Sequence, residues 1–370
     1  MSWAGLGLCM SSDSGEYGSG AREQQLHRYA RQTRLPEIGE AGQARLSAAR
    51  VAIVGCGALG CAAADLLCRA GVGQITVIDR DVVEATNLQR QVLFCEADAR
   101  EGLPKAEAVR RRLNAVNSSV DVRAVVADVH HRNVIDVLMM DDGQRRPHVI
   151  LDGTDNFATR YLLNDVAMKY GVPFVYAGVV GTHAMQMNVL PGSGACLRCV
   201  FAEPPVPGTQ PTCESAGVLG AAVIMVAALQ ATEAMKLIVG ATADVRRTLR
   251  ELDVWTSRWR EIEVERDAQC VTCGARRFEF LESMERPQNA TLCGQNAVQI
   301  GAPQGAMTEL GTLAERLSAS GRVTRTAFMV RVEMSQSPLR MTVFADGRAI
   351  VHGTSDAGMA RAMYDRLIGT

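Results

Sequence analysis

A glycine-rich segment near residue 55 is the first feature of the sequence that could do chemistry. Gly55, Gly57 and Gly60 form a G-x-G-x-x-G pattern, which follows the apolar run 50–55 and opens the alanine-rich run 58–70. Glycines let the backbone approach a phosphate closely, and the first turn of a helix offers free N–H groups and a partial positive charge. A strand, loop and helix with this pattern predict a site for nucleotide phosphates.

Charged residues outside this segment indicate which reaction the nucleotide serves. Asp79 ends the next apolar run, where a carboxylate can bond a ribose hydroxyl. Up to this point the pattern is also typical of a dinucleotide-dependent oxidoreductase, which stays an alternative. Arg90 and Lys105 then follow Asp79, and Arg31 precedes the glycines, so three cations are candidates for one anionic site. Asp155 is a candidate ligand for Mg²⁺.

Adenylation of a carboxylate would need such a set of charges. The attacking carboxylate, the α-phosphate and the departing pyrophosphate are all negative, so the protein must hold cations and a metal at fixed positions. We therefore expect Arg31, Arg90, Lys105 and Asp155 to form the catalytic set. Positioning and electrostatics would carry most of this catalysis, and no general base is required.

Two pairs of cysteines have the spacing of a metal site. Cys196 and Cys199 form one Cys-x-x-Cys pair, and Cys270 and Cys273 form the second. Four thiolates suit a closed tetrahedral zinc site, which is structural because no coordination position stays open. Each pair alone could be a redox motif, but neither begins a helix after a first strand as a thioredoxin-like site would. We predict a structural Zn²⁺ that fastens the Gly/Pro-rich segment to the end of the main domain.

Cys213 is a candidate nucleophile. It lies between the Gly/Pro-rich segment 191–208 and the predicted helix 217–239. A thiol near a helix N-terminus can have a lowered pKa and react, whereas a lone cysteine elsewhere is often a small buried residue. We expect Cys213 to be a catalytic residue of a later covalent step.

The bulk composition sets the class of protein. The chain has 370 residues, of which 47% are hydrophobic, and this suits a large domain and a smaller one. A formal charge of −1 gives no sign of a nucleic-acid or membrane partner. The first residues lack a signal-peptide pattern, and no apolar run reaches the roughly 20 residues of a membrane span, so we expect a cytoplasmic protein. Eleven cysteines, an odd number, favour a reduced compartment over a disulfide framework.

The elements that must position these residues alternate between strand and helix. Short apolar runs separated by helical runs predict an α/β fold, with a mostly parallel sheet covered by helices on both faces. The predicted strands are residues 50–55, 74–79, 122–127, 149–152, 173–177, 183–190, 249–255 and 261–265. The predicted helices are residues 23–33, 58–70, 105–116, 131–140, 158–170 and 217–239. This main domain would span residues 23–280.

The two ends of the chain lack the alternation of strands and helices that is predicted for the main domain. Residues 1–22 are rich in Ser and Gly and are predicted to be a disordered tail. Residues 285–370 predict a separate small α+β domain of open role, with a helix near 308–318, an alternating strand near 328–334 and a hairpin turn at Asp346-Gly347.

Taken together, the motifs resemble those of the MoeB/ThiF/HesA family of adenylyltransferases, the bacterial relatives of ubiquitin-activating enzymes. The matching segments are R-Y-A-R-Q (28–32), G-C-G-A-L-G (55–60), D-x₇-N-L-Q-R-Q (79–91), L-P-K (103–105), D-G-T-D-N (152–156) and C-E-S-A-G-V-L-G (213–220). The resemblance covers about residues 25–275 and implies a Rossmann-like, ThiF-type adenylation domain that is usually a homodimer. Its implied substrate is the C-terminal Gly-Gly tail of a ubiquitin-like sulfur carrier of the MoaD or ThiS kind, in molybdopterin or thiamine biosynthesis.

The resemblance also assigns roles to individual residues. It implies that ATP and Mg²⁺ are held by the glycines of the loop and by a set of polar residues, namely Gly55, Gly57, Gly60, Asp79, Asn87, Gln89, Arg90, Lys105, Asp155 and Asn156. The residue matching Arg31 reaches into the ATP site of the neighbouring subunit. Zinc is bound at the positions that match the four paired cysteines, and the cysteine matching Cys213 has been linked to a thioester or acyl-disulfide with the carrier.

Some relatives carry a sulfur-delivering rhodanese domain after the zinc site, which needs a cysteine at the head of a Gly- and Arg-rich loop. Beyond Cys273 the sequence has only Cys293, in L-C-G-Q, so we expect a separate sulfur donor. Two alternatives stay open. One is a ThiF-like enzyme that adenylates another protein or peptide, and the other is an NAD-dependent oxidoreductase.

Overall fold

The computed structural model describes residues 27–139, 145–205, 215–283, 289–292, 296–301 and 308–369. The predicted tail 1–22, Cys213 and Cys293 lie outside these residues. Within them the chain forms two β-sheets, one mostly parallel and one antiparallel.

The larger sheet carries the predicted nucleotide site. Its strands are β1 (Arg50–Val54), β2 (Gln74–Asp79), β3 (Asp121–Val126), β4 (Val149–Asp152), β5 (Phe174–Val180), β6 (His183–Val189), β7 (Thr248–Asp253) and β8 (Arg258–Glu263), in the order β3-β2-β1-β4-β5-β6-β7-β8. Strands β1 to β5 pair in parallel, and β6 to β8 extend the sheet by antiparallel pairing. The strand order reverses between β1 and β4, which is where open α/β sheets bind ligands. The Rossmann-like α/β prediction is confirmed.

Helices cover both faces of this sheet. They are α1 (Gly39–Ala48), α2 (Ala58–Arg69), α3 (Glu96–Glu101), α4 (Lys105–Val116), α5 (Val134–Met139), α6 (Phe157–Tyr170), α7 (Leu197–Val200) and α8 (Gly220–Val239), with a 3₁₀ turn at Ala85–Asn87. Val51 and Ile53 of β1 belong to the core under α2 and α8, whereas Ala52 and Val54 belong to the core under α6. This alternation follows from the period of two in a strand, and it explains why both faces of the parallel strands are apolar.

Helix α8 is more apolar than the sequence analysis expects. Over its 20 residues it is long and apolar enough to cross a membrane, with a mean hydropathy of 1.7. Half of that apolar window is buried inside the protein, where the helix packs on α2, β5 and β6. Packing in the core therefore accounts for the composition of α8.

The second sheet lies in the C-terminal part of the chain. Its strands are β9 (Asn289–Leu292), β10 (Ala297–Ile300), β11 (Gly321–Arg325), β12 (Met329–Met334), β13 (Arg340–Phe344) and β14 (Ala349–His352), and its helices are α9 (Leu310–Leu317) and α10 (Ala357–Ile368). All neighbouring strands pair antiparallel. The predicted turn between β13 and β14 is present, with Gly347 at φ +80°. One face packs on α9 and α10 through residues such as Val330, Val343 and Val351.

Candidate active site

The glycine loop joins β1 to the start of α2, and its three glycines have different tasks. A Cβ on Gly55 would lie 2.5 Å from the carbonyl of Gly153, and a Cβ on Gly60 would lie 1.9 Å from the carbonyl oxygen of Gly55. Gly55 also has φ +94°, a conformation that favours glycine. A Cβ on Gly57, in contrast, would meet nothing closer than 3.6 Å. Gly55 and Gly60 therefore serve the fold of the loop, and the surface above Gly57 is open to a ligand.

Asp79 ends β2 beside this loop. Its carboxylate accepts a hydrogen bond from the backbone N–H of Cys56 at 2.6 Å and another from that of Asp81 at 2.7 Å. Burial raises the pKa of Asp79, while the charge of Lys105 acts in the opposite direction. Each carboxylate oxygen has a second lone pair, so Asp79 can fix the loop and still accept a hydrogen bond from a ribose hydroxyl.

Lys105 is the buried cation of the site. It begins α4, its side chain is 7% exposed, and its Nζ donates to Oδ2 of Asp81 at 3.0 Å. Burial opposes the charge, but Asp81 and Asp79 outweigh it and raise the pKa of Lys105. The lysine is therefore a fixed positive charge at the carboxyl end of β2.

Asp81 and Arg80 are site residues that the sequence analysis missed. Burial opposes the charge of Asp81, yet Lys105 and Arg80 outweigh it and lower the pKa to about 2. Arg80 contacts Oδ1 of Asp81 at 3.7 Å and Oδ1 of Asp128 at 3.1 Å. The D-R-D sequence at residues 79–81 was the available signal, because residues i and i+2 of an extended segment lie on the same face.

Asn87 and Arg90 lie on the loop that connects β2 to α3. Asn87 is buried, and its Oδ1 accepts from the backbone N–H of Glu84 at 3.0 Å, which closes the 3₁₀ turn. Arg90 donates to the carbonyl of Thr86 at 2.9 Å, and Gln89 is exposed. The carbonyl of Gln89 would lie 3.3 Å from a Cβ on Gly220, so the loop rests on the start of α8.

Asp155 and Asn156 follow β4 at the same edge of the sheet. Asp155 is exposed, and its charge acts on both Lys105 and Arg80. Asn156 caps α6, with its Oδ1 accepting from the N–H of Thr159 at 2.9 Å. Asp155 is thus free for a cation at the mouth of the site, whereas the side-chain oxygen of Asn156 already caps the helix.

A buried ion pair fixes the turn that carries Asp155. Asp152 accepts from Arg160 Nε at 3.0 Å, and from the backbone N–H and hydroxyl of Thr154. Burial raises the pKa of Asp152, and Arg160 opposes that rise. The pair joins the end of β4 to α6 and holds the loop opposite the glycines.

Arg31 does not reach the glycine loop of its own chain. Its neighbour Gln32 donates to the carbonyl of Ala70 at 2.9 Å, just past the C-terminal end of α2. The glycine loop lies at the other end of this 12-residue helix, about 18 Å away at 1.5 Å per residue. Arg31 is exposed at that far end.

The four paired cysteines come together as predicted. Their sulfurs lie within 4.8 Å of one another, and three separations are 3.5 Å (Cys196–Cys270), 3.4 Å (Cys199–Cys273) and 3.9 Å (Cys196–Cys199). A tetrahedral ion with Zn–S bonds of about 2.3 Å separates its sulfurs by about 3.8 Å, so the cluster has the size of a zinc site.

Helix α6 anchors both halves of the cysteine cluster. Asn164 accepts from the backbone N–H of Leu197, and Asp165 accepts from the hydroxyl of Thr272 and from the backbone of Phe280. Burial raises the pKa of Asp165 to about 6. The cluster therefore ties the segment after β6, which carries Cys196 and Cys199, to the segment after β8, which carries Cys270 and Cys273.

The described site is a set of fixed charges at the carboxyl ends of β1, β2 and β4. It contains an open glycine loop, a buried lysine paired with an aspartate, a terminal strand carboxylate and an exposed aspartate. Such a set can bind an anionic nucleotide with a metal ion, and can stabilise charge that develops during transfer of a phosphorus group.

Comparison with known proteins agrees with this geometry. The model of the ThiF family matches residues 29–272. The chain is 39% identical over 346 residues to the sulfur carrier protein ThiS adenylyltransferase of Bacillus subtilis, which covers 92% of this chain and 99% of that protein. It is 37% identical over 268 residues to the SAMP-activating enzyme E1 of Haloferax volcanii, a match that covers 72% of this chain and 96% of that enzyme.

Among solved structures, the chain resembles Escherichia coli MccB with ATP. The TM-score is 0.57 and the identity 21%, over 71% of this chain and 83% of that one. At this identity the likeness supports the fold alone.

Proposed function

The chain belongs to the ThiF family, and we propose that it adenylates the C-terminal glycine carboxylate of a ubiquitin-like sulfur-carrier protein, consuming ATP and releasing pyrophosphate. The observation that carries the proposal is the convergence of the open loop above Gly57, the Asp81–Lys105 pair and the exposed Asp155 at one sheet edge. The relative that matches nearly the whole chain is named for this activity on ThiS. Contacts between the carrier and the surface of this protein would determine whether the carrier is one that serves thiamine, molybdopterin or another thiolated product.

In this proposal ATP lies over the glycine loop with its ribose at Asp79 and its phosphates toward the start of α2. Asn87, Gln89 and Asn156 would contact the nucleotide, and Asp155 would hold Mg²⁺. An oxygen of the carrier carboxylate forms a bond to the α-phosphorus. The bond from that phosphorus to the bridging oxygen breaks, and its electrons leave with pyrophosphate.

Fixed cations would then stabilise the negative charge that develops as the adenylate forms. Lys105 is protonated at neutral pH because its carboxylate neighbours raise its pKa, so it stabilises the extra negative charge without moving a proton. Arg90 would act on the departing pyrophosphate. A separate sulfur donor would convert the adenylate to a thiocarboxylate, and Cys213 would act only in that later covalent stage. Cys213→Ser should therefore leave ATP–pyrophosphate exchange intact.

We also propose a homodimer in which Arg31 completes the ATP site of the partner subunit. Its distance from its own glycine loop supports this arrangement, since the length of α2 lies between them. Exposed apolar side chains on or near α2 and α8 are suited to the contact, namely Leu35, Leu66, Val92, Ile224 and Met225. The four cysteines would bind one structural Zn²⁺, and the enzyme would act in the cytoplasm.

The test is to mix the protein with ATP, Mg²⁺ and candidate Gly-Gly carriers and to weigh each carrier by mass spectrometry. A carrier that gains one AMP supports the proposal, and the same carrier without its last glycine is the matched control. Exchange of labelled pyrophosphate into ATP should depend on the intact carrier. If no Gly-Gly carrier gains AMP while another protein or peptide does, the substrate class is wrong. Tight NAD binding without release of pyrophosphate would instead indicate the oxidoreductase alternative.

A further inference from the structure

One face of the C-terminal sheet packs against the loop that leaves β2. Val82, which is buried on this loop, forms an apolar cluster with Met329, Phe344 and Ile350 of the C-terminal sheet. Val126 at the end of β3 packs against the same cluster. The opposite face of the sheet carries α9 and α10, so the sheet lies between its own helices and the edge that bears the candidate active site.

Polar contacts extend this packing on both sides. Arg340 pairs with Glu84 at 3.6 Å, and Glu84 donates its backbone N–H to Oδ1 of Asn87. Gln299 of β10 donates to Oδ2 of Asp128 at 2.6 Å, and the other oxygen of Asp128 pairs with Arg80. The C-terminal sheet is therefore connected through one intervening residue to Asn87 of the 3₁₀ turn, and through another to Arg80 beside Asp81.

Arg348 brings a buried positive charge to the same contact. Its guanidinium stacks on Phe344 at 3.7 Å from the ring centre, and its Nε donates to Asp346. The side chain is only 3% exposed, and its two terminal nitrogens have no hydrogen-bond partner. Burial lowers the pKa of Arg348, while the negative charges of Asp346, Asp128 and Asp81 act in the opposite direction.

Buried polar atoms that lack a hydrogen-bond partner are concentrated here. Six of the eleven in the described residues belong to this contact or its rim, namely Oδ1 of Asp81, Oε1 of Gln299, Nε of Arg340, both terminal nitrogens of Arg348 and Nε2 of His352. Arg331 and Arg340 also line a cavity of about 260 Å³ with residues 83–86. A contact that served packing alone would not gather so much charge at the nucleotide loop.

We propose that the C-terminal sheet is a positioning element of the nucleotide site. It holds the loop 82–90 from outside, so that Asn87 and Arg90 meet the triphosphate, and through Gln299 and Asp128 it holds Arg80 beside Asp81. The buried guanidinium of Arg348 belongs to the same contact, because it stacks on Phe344 of the cluster around Val82. Arg340 and Arg348 are thus positioning residues for ATP. This inference rests on the proposed adenylation, and it gives residues 289–369 a role in nucleotide affinity instead of carrier docking.

The charge reversal Arg340→Glu tests the loop contact, because it would face Glu84 with a second carboxylate. We expect the dissociation constant and KM for ATP to rise about three- to tenfold, since a partly exposed pair has only a modest effect. The KM for the carrier and the melting temperature should change little. The double variant Glu84→Arg with Arg340→Glu should restore ATP affinity. Arg366→Glu, on the exposed side of α10, is the matched control and should bind ATP as the unaltered protein does.

Arg348→Met tests the buried charge while it keeps an unbranched side chain against Phe344. We expect the dissociation constant for Mg²⁺·ATP to rise while the KM for the carrier stays unchanged, because the guanidinium stacks on Phe344 in the cluster that packs on Val82. A merely structural role would lower the melting temperature without changing the ATP affinity of the folded variant.

Direct measurement of Mg²⁺·ATP binding without carrier distinguishes failure of the proposed function from failure of the positioning role. If the unaltered protein binds no ATP, the proposed function fails. If it binds ATP and folded Arg340→Glu and Arg348→Met bind it equally well, the positioning role is overturned. A rise in carrier KM alone would overturn it as well and would assign the sheet to carrier docking.

Discussion

Replacing Lys105 with Met separates charge from packing at the candidate active site. Methionine is unbranched like lysine and fills a similar space, so the variant removes the cation without opening a large cavity. The lysine is 7% exposed, and its Nζ lies 3.0 Å from Asp81. Because little water reaches this charge, its field at a bound phosphate is only weakly screened.

The expected loss of activity is large and the expected loss of stability is moderate. One preorganised group that stabilises developing charge contributes about 10²- to 10³-fold to kcat. Removing one partner of a fully buried ion pair costs about 3–5 kcal/mol, because the other charge is stranded. Asp81 keeps Arg80 at 3.7 Å and is 23% exposed, so the cost here should be smaller, about 1–2 kcal/mol.

The dependence of stability on pH gives a second measure of the same pair. The pKa of Asp81 is lowered from 3.8 to about 2, so ionised Asp81 stabilises the fold above pH 3.8 and this stabilisation is lost as the pH falls toward 2. A shift of this size is worth about 2 kcal/mol. Among the causes that lower the pKa of Asp81, the charge of Lys105 is the largest. The unfolding free energy of Lys105→Met should therefore change less than that of the unaltered protein when the assay is moved from about pH 5 to about pH 2.

The assay is carrier-dependent ATP–pyrophosphate exchange, with urea unfolding of the same samples at several pH values. Lys169→Met is a matched control, because Lys169 also pairs with a carboxylate at 3.0 Å but is 35% exposed on α6. The control should keep its exchange rate. The reasoning is refuted if folded Lys105→Met keeps more than about a tenth of the normal rate, well above the loss expected of such a group.

Three further predictions follow from the same geometry. Gly60→Ala should unfold or strongly destabilise the protein in thermal melts, whereas Gly57→Ala should fold and lose ATP affinity; equal melting temperatures would contradict this division. Purified protein should contain one Zn²⁺ per chain, and a chelator should lower its melting temperature; metal analysis without zinc would refute the site. Arg31→Ala and Lys105→Met should each be nearly inactive, but mixed and reassociated subunits should recover about a quarter of normal activity, since one site in each mixed dimer is intact. No recovery in mixed dimers would show that Arg31 does not act across the interface.

Much of the site could be predicted from the sequence because its signals are local. The spacing of the glycines, the strand before them and the helix after them lie within about twenty residues, and this fixes the loop. The cysteine pairs are nearly as local, since each pair defines half of a tetrahedral cluster. The alternating apolar pattern of Met329–Met334 likewise predicted a strand.

Other roles depended on contacts between residues far apart in the chain. Asn156 was predicted to bind the nucleotide, and that prediction stands, but only the structure shows that its oxygen also caps α6. The sequence did not single out Asp81, because only the structure shows that α4 places Lys105 against it. A pattern of residue types cannot reveal such pairings, because burial and neighbouring charge are set by the packing of whole elements.

The sequence by itself determined the α/β class, the phosphate loop and the cysteine cluster, because each rests on short-range geometry. The tertiary structure alone decided that Arg31 lies a helix length from its own loop, and that the C-terminal sheet packs on the segment bearing Asn87. The face of that sheet toward the nucleotide loop mixes apolar residues such as Met329 and Phe344 with Arg331 and Arg340, so the alternating pattern predicted the strand but not what this face packs against. Three-dimensional packing made that choice, through the fit of Val82 and the charges around it.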